Sequence, residues 1–126
     1  MLSPKIIVVE DEGIVAADLQ DRLQALGYLV PTAIASAEEA IAQIPKMDAD
    51  LVLMDIMLKG DMDGIDAADI LRREYDLPVV FLTSHSDQNT LNRARVTEPF
   101  GYIVKPFEER ELHATIEMAF YRHKAE

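Results

Sequence analysis

Apolar and polar positions along this chain follow two periods, and the switches between them mark out five strands and five helices. Lys5-Ile6-Ile7-Val8-Val9 is a β-branched run suited to a buried strand. Ile14, Val15, Leu19, Leu23 and Leu26 then recur at helical spacing, with Asp18, Gln20, Asp21 and Arg22 between them and Gly27 as the stop. Leu29 to Ala35 predicts a second strand. Ser36 with Glu39 forms a capping box that opens a short helix through Ile44, ended by Pro45. After the turn Asp48-Ala49-Asp50, the run Leu51-Val52-Leu53-Met54 reads as a strand buried on both faces. The loop from Ile56 to Gly64, with two glycines and an Asp-Gly turn, leads into a third helix carrying Ile65, Ala68 and Leu71. Pro78 introduces the strand Val79-Val80-Phe81-Leu82-Thr83. Ser86 and Asp87 are candidate caps for a fourth helix so polar that only Leu91, Ala94 and Val96 are available to a core. Gly101 to Val104 is a fifth strand. Leu112, Ile116, Ala119 and Phe120 share one face of the last helix, with Glu108, Glu109 and Glu111 near its start and Arg122 and Lys124 near its end, as its dipole favours.

This alternation predicts an α/β fold, a doubly wound, flavodoxin-like sheet of five parallel strands with right-handed crossovers. With the strand order 2-1-3-4-5, one of two common orders for such sheets, strands one, three, four and five lie side by side. Their carboxyl ends carry Glu10 and Asp11, Asp55, Thr83, and Lys105. An acid that closes an apolar run, as Asp55 does, is on its own more often a turn residue or helix cap than a reactive group. Its company argues otherwise. Neighbouring strands are about 4.8 Å apart, and such sheets bind ligands at the carboxyl ends of their strands, so one small pocket can hold all these side chains. Crowded carboxylates repel one another unless a hard divalent cation sits among them. Mg²⁺ fits, because it takes oxygen ligands and combines one or two carboxylates with a substrate phosphate. The set points to phosphoryl chemistry on an aspartate nucleophile that is ionised at pH 7 and needs no general base, with lysine, metal and hydroxyl neutralising the transferred group.

Composition narrows the picture further. A chain of 126 residues is expected to be one domain, spanning 1–126. It has no cysteine, so disulfides and thiolate metal sites are excluded. The 23 acids against 12 bases give a net charge of −11, which repels nucleic acid and anionic membranes. The start has neither the basic region nor the apolar core of a signal peptide, and a cytoplasmic location is expected. His85, His113 and His123 show no ligand spacing on one helix face and read as surface residues. The final Lys124-Ala125-Glu126 is compatible both with a natural end and with further chain beyond it.

Motif by motif, in order and on the right strand ends, the chain resembles a receiver domain of the two-component response-regulator family over nearly its whole length. Glu10-Asp11 resembles the family's acidic pair, Asp55 its phosphoacceptor, Thr83 its switch hydroxyl, Tyr102 its switch aromatic, and Lys105-Pro106-Phe107 its Lys-Pro-Phe motif. The resemblance implies a cis peptide before Pro106. It also implies Mg²⁺ held by Asp11, Asp55 and the Met57 backbone carbonyl, with Glu10 acting mainly through bound water. Phosphorylation would come from a histidine kinase, and the domain would be a phosphoacceptor that assists its own modification and hydrolysis rather than an enzyme with an external substrate. Output would run through the fourth helix, fifth strand and fifth helix to a downstream protein, to attached sensory or kinase modules, or to a second copy in a homodimer. Three departures stand out. Leu58-Lys59 replaces the family's usual Met-Pro, Asp63-Gly64 comes one residue late, and Glu98-Pro99-Phe100-Gly101 stands where Gly-Ala is frequent. Met57 and His85 fall at positions that line the path of attacking water in this family, and a bulky Met57 is expected to slow hydrolysis. Two rivals fit less well, and a degenerate receiver stands as the alternative. A haloacid-dehalogenase-type phosphatase needs Asp-x-Asp-x-Thr where Glu10-Asp11-Glu12-Gly13 stands. A flavodoxin-like cofactor carrier needs a Ser/Thr/Gly-rich phosphate loop there. A degenerate receiver would bind partners without being phosphorylated.

Overall fold

In the computed structural model, residues 3–83, 92–95 and 99–125 are described. The elements are β1 (Ile6–Val9), α1 (Gly13–Ala25), β2 (Ala33–Ile34), α2 (Ala37–Gln43) with a 3₁₀ turn (Ile44–Lys46), β3 (Leu51–Asp55) and α3 (Gly64–Tyr75). They continue with β4 (Val79–Thr83), a helical segment at 92–95 (α4), β5 (Gly101–Val104) and α5 (Glu109–Ala125). All strand pairs are parallel, in the order β2-β1-β3-β4-β5.

The period of two along each strand splits the core between the two faces of the sheet. Ile7, Val9, Val52, Met54, Val79 and Phe81 pack with Ala37 and Ala40 of α2 and Ile65, Ala68 and Leu71 of α3. Ile6, Val8, Leu51, Leu53, Val80, Leu82 and Ile103 pack with Leu19 and Leu23 of α1 and Leu112, Ile116 and Ala119 of α5. Each strand is therefore apolar on both sides, the condition for a parallel sheet between two helical layers. Among the described residues, no helix is long and apolar enough to cross a membrane.

Three sequence expectations change. The second strand is only Ala33–Ile34 rather than Leu29 to Ala35. Leu29 makes a single bridge to Lys5, and Pro31, which has no N–H for the ladder, intervenes. Ile14 does not join the core face of α1. It is 87% exposed, and Ala16 is buried instead alongside Leu19 and Leu23. The short helix ends as an α-helix at Gln43 rather than Ile44, and Ile44 opens a 3₁₀ turn in which Pro45 is the second residue, where its missing N–H costs nothing. Ser36 caps α2 as expected, accepting from the Glu39 N–H at 3.1 Å. Ala94 is fully buried, while the expected caps Ser86 and Asp87 and the core positions Leu91 and Val96 lie outside the described residues.

Candidate functional site

The ladder sets Val9 opposite Met54, so the residues that follow, Glu10 and Asp55, leave adjacent strands side by side. The Glu10 side chain is 0% exposed and that of Asp55 is 7% exposed. Lys105 stands between them, its Nζ donating to Glu10 Oε1 at 2.6 Å and to Asp55 Oδ2 at 3.1 Å. The backbone holds it there: the Lys105 N–H donates to the Thr83 carbonyl at 2.8 Å, and the Lys105–Pro106 peptide is cis. The other oxygens are also engaged. Asp55 Oδ1 accepts the Met57 N–H at 2.9 Å, Glu10 Oε2 accepts the Glu12 N–H at 3.2 Å, and Asp11 Oδ2 accepts the Lys59 N–H at 3.3 Å.

One carboxylate oxygen from each of Glu10, Asp11 and Asp55 lies within 4.8 Å of the others. An all-oxygen set of this kind, with Asp11 at the less buried edge, suits a hard divalent cation. Without one, the charges divide unevenly. Burial pushes the Asp55 carboxyl up, and the Glu10 carboxylate beside it adds to the effect, raising Asp55 to about 7. Burial acts on Glu10 in the same direction, but its bonds with Asp55 and Lys105 prevail and hold it below the usual range. Lys105 is likewise pulled down by burial and lifted further by its two acids, which keep it charged. Asp55 is thus the member of the trio that takes up a proton. A cation among the acids would act against this rise and favour the ionised nucleophile.

Thr83 is buried at the end of β4, opposite Val104 in the ladder. Tyr102 is half-buried, its ring 6.1 Å from that of Phe81; burial raises its phenol, and the Arg95 charge offsets part of that rise. The Met57 side chain is 67% exposed, and its N–H already serves Asp55. Glu10, Asp11, Asp55 and Lys105 therefore form one cluster, with Thr83 joined to Lys105 through the backbone. Tyr102 stands apart from it on β5. His113 packs near Tyr28 and His123 Nε2 lies 2.9 Å from the Asp76 carbonyl, so neither belongs to the site. His85 lies outside the described residues.

The loop after Asp55 contains residues whose importance the sequence pattern did not reveal. A Cβ on Gly64 would fall 1.9 Å from the Asp55 carbonyl oxygen, so α3 can begin this close to β3 only with glycine there. The Gly64 N–H returns to the Ile56 carbonyl at 3.2 Å, and Asp63 caps α3 by accepting the Asp66 N–H at 3.0 Å. Glu38, which reads as one more acid on α2, accepts the Met62 N–H at 3.0 Å and backs Gly60, whose φ is +117°. Arg93 adds an ion pair to Asp63 at 3.1 Å. An Asp-Gly pair before a helix signals a cap, but the partners Glu38 and Arg93 come from other elements and leave no local trace.

Residues 6–117 match the family model described as the response regulator receiver domain. Among curated relatives, the transcriptional regulatory protein PdtaR of Mycobacterium tuberculosis is 32% identical over 95% of this chain and 58% of its own length. The heme response regulator HssR of Staphylococcus haemolyticus is 33% identical over 95% of this chain and 53% of its own. The chain thus spans a little over half the length of these relatives. The signal receiver domain of a modulated diguanylate cyclase from Desulfovibrio desulfuricans G20 superposes with a TM-score of 0.93 at 40% identity, covering 98% of both chains. The N-terminal domain of a response regulator/sensory box/GGDEF three-domain protein from Carboxydothermus hydrogenoformans superposes with a TM-score of 0.87 at 34% identity, covering 96% of this chain and 97% of that one.

Proposed function

This chain belongs to the response regulator receiver domain family, and on that premise we propose that it accepts a phosphoryl group on Asp55 from the phosphohistidine of a histidine kinase in the cytoplasm. The observation that carries this reading is the Lys105 ammonium bridging the buried carboxylates of Glu10 and Asp55. An Asp55 oxygen forms the new P–O bond as the donor's P–N bond breaks, with the electron pair leaving on the imidazole nitrogen. Lys105, already 3.1 Å from Asp55 Oδ2, is placed to exchange that contact for a phosphoryl oxygen, and the Thr83 hydroxyl is the donor for another. The Met57 N–H steadies the carboxylate during attack. Mg²⁺ held by Asp11, Asp55 and the Met57 carbonyl, with Glu10 through water, would supply positive charge for the equatorial oxygens and favour ionised Asp55. An apolar groove of about 580 Å³ formed by Ile14, Val15, Pro106 and Phe107 adjoins Lys105 and offers the donor protein a surface.

Phosphorylation would add charge at the strand ends and bias Thr83 and Tyr102 towards a second arrangement, changing the α4-β5-α5 face. Val104, Met118 and Tyr121 leave apolar surface on β5 and α5, which supports contact with a downstream protein, an attached module or a second copy. The test is intact mass after incubation with acetyl phosphate, with and without Mg²⁺, for this chain and Asp55→Asn. A metal-dependent gain of one phosphoryl group, absent in the variant, is expected. No gain in the parent chain would sink the phosphoacceptor reading in favour of a receiver that only binds partners.

A further inference from the structure

Towards the end of the strands opposite Asp55, where β4 and β5 begin, a cavity of about 390 Å³ lies between α3, α4, β5 and α5. Phe100 marks its level, since its N–H donates to the carbonyl of Val79 where β4 begins. Three of the chain's seven arginines line it: Arg72 from the last turn of α3, Arg95 from α4 and Arg122 from the last turn of α5. On a chain of net charge −11 this is a marked concentration of cations. Arg72 is paired with Asp69 of its own helix at 3.7 Å, and the one acid among the described lining residues, Asp76, does not neutralise the other two. Asp76 Oδ1 lies 3.5 Å from His123 Nε2, and its side chain is 92% exposed. Among the described residues, no carboxylate forms an ion pair with Arg95 or Arg122. Two aromatic rings complete the walls, Phe100 with the Arg122 guanidinium 5.5 Å from its centroid, and Tyr102.

We propose that this cavity binds a small phosphate-bearing molecule. Guanidinium groups present planar forks of donors that match phosphate oxygens and remain charged at all relevant pH values. Arg95 and Arg122, which line the same concave space without a carboxylate partner among the described residues, leave positive charge there for an anion to neutralise, the mirror image of the argument for a cation among the acids. The volume is within the range of small-molecule sites, and the flanking rings give an aromatic group such as a nucleotide base a surface to stack on. The site lies apart from the Asp55 cluster and shares only its wall residue Tyr102 with the proposed switch, so binding to the unphosphorylated chain does not depend on the phosphoacceptor reading.

The test is titration calorimetry of the full chain in Mg²⁺-free buffer with two probes, inorganic pyrophosphate and ADP. Arg95→Gln and Arg122→Gln are the variants; both side chains are exposed, so melting should show both folded. Saturable binding of either probe, weakened about tenfold or more by either substitution, is the expected result. Tighter binding of ADP than of pyrophosphate would assign the rings to a base, and the reverse order would assign the site to phosphate alone. Absence of saturable binding, or binding that both variants retain unchanged, would overturn the proposal. So would binding of a glutamate-rich peptide with neither probe bound, since that would make the cavity a protein contact.

Discussion

Two segments flank the carboxylate pocket, and they are held in opposite ways. From Asp55 to Gly64 nearly every turn of the backbone is tied: Ile56 N–H to the Leu82 carbonyl, Met57 N–H to Asp55, Lys59 N–H to Asp11, Met62 N–H to Glu38, and Gly64 N–H to the Ile56 carbonyl. Around Tyr102, by contrast, the ring is half-buried, Val104 is 53% exposed, and a cavity lies alongside. The first segment fixes the atoms that would react. The second has room for a side chain to change place. Lys105 joins the two, reaching from the end of β5 to acids on β1 and β3.

The largest effect is expected where the tied segment tolerates no extra atom. Gly64→Ala would drive a methyl into the Asp55 carbonyl at a separation of 1.9 Å, and neither backbone can yield without moving α3 or β3. A loss of about 3 kcal/mol or more in urea unfolding is expected. Gly13→Ala, at the start of α1 with nothing within 4 Å of the new Cβ, is the control and should be neutral or gain about 0.5 kcal/mol. Equal costs at the two glycines would remove the case for a tightly packed acceptor loop.

Next comes the joint. Lys105→Met keeps the aliphatic stem but leaves buried Glu10 and Asp55 facing each other without a cation. The cost should be about 2 kcal/mol in Mg²⁺-free buffer, limited because Asp55 can take up a proton instead of remaining charged. Added Mg²⁺ should return more stability to this variant than to the parent, while acetyl phosphate labelling should fall steeply. A variant as stable as the parent without metal would mean that Lys105 contributes nothing to holding the acids together.

These tests probe features that differ in how legible they were. The sheet order and the cluster of Glu10, Asp55 and Lys105 could be read because buried parallel strands are continuous apolar runs, and each run here stops on a polar residue. Periodicity gives spacing but not phase, so it puts Ile14 on the core face of α1, where the structure has Ala16. The run Leu29 to Ala35 looked like a full strand because apolar content does not register the N–H missing from Pro31. Gly64, Glu38 and the three arginines of the cavity owe their roles to approaches between distant elements. Nothing within a few residues of them signals this.

A smaller effect, of about 1 kcal/mol, should appear on raising the pH from 6 to 8. The Asp55 pKa of about 7 in the folded chain lies above its ordinary value of 3.8, so the folded state binds this proton more tightly than the unfolded state does. The resulting stability is present in full below about pH 4 and is lost as pH rises through 7. Mg²⁺ competes with the proton, so the rise in melting temperature on adding Mg²⁺ should be larger at pH 8 than at pH 6. A metal shift that does not change between these pH values would mean that Asp55 is already ionised without metal.

The smallest effect belongs to the open side. Tyr102→Phe keeps the ring 6.1 Å from Phe81 and the volume beside the cavity, removing only a hydroxyl from a half-buried position. Stability should stay within about 0.5 kcal/mol of the parent, because no core contact is lost. Tyr102→Ala deletes the ring and should cost more, but still well under the cost of Gly64→Ala, since the cavity already adjoins the site and surrounding atoms are partly solvated. Urea unfolding of the two variants side by side measures this directly. If Tyr102→Ala matched Gly64→Ala in cost, β5 would be as tightly determined as the acceptor loop, and the room for Tyr102 to move between two positions would be gone.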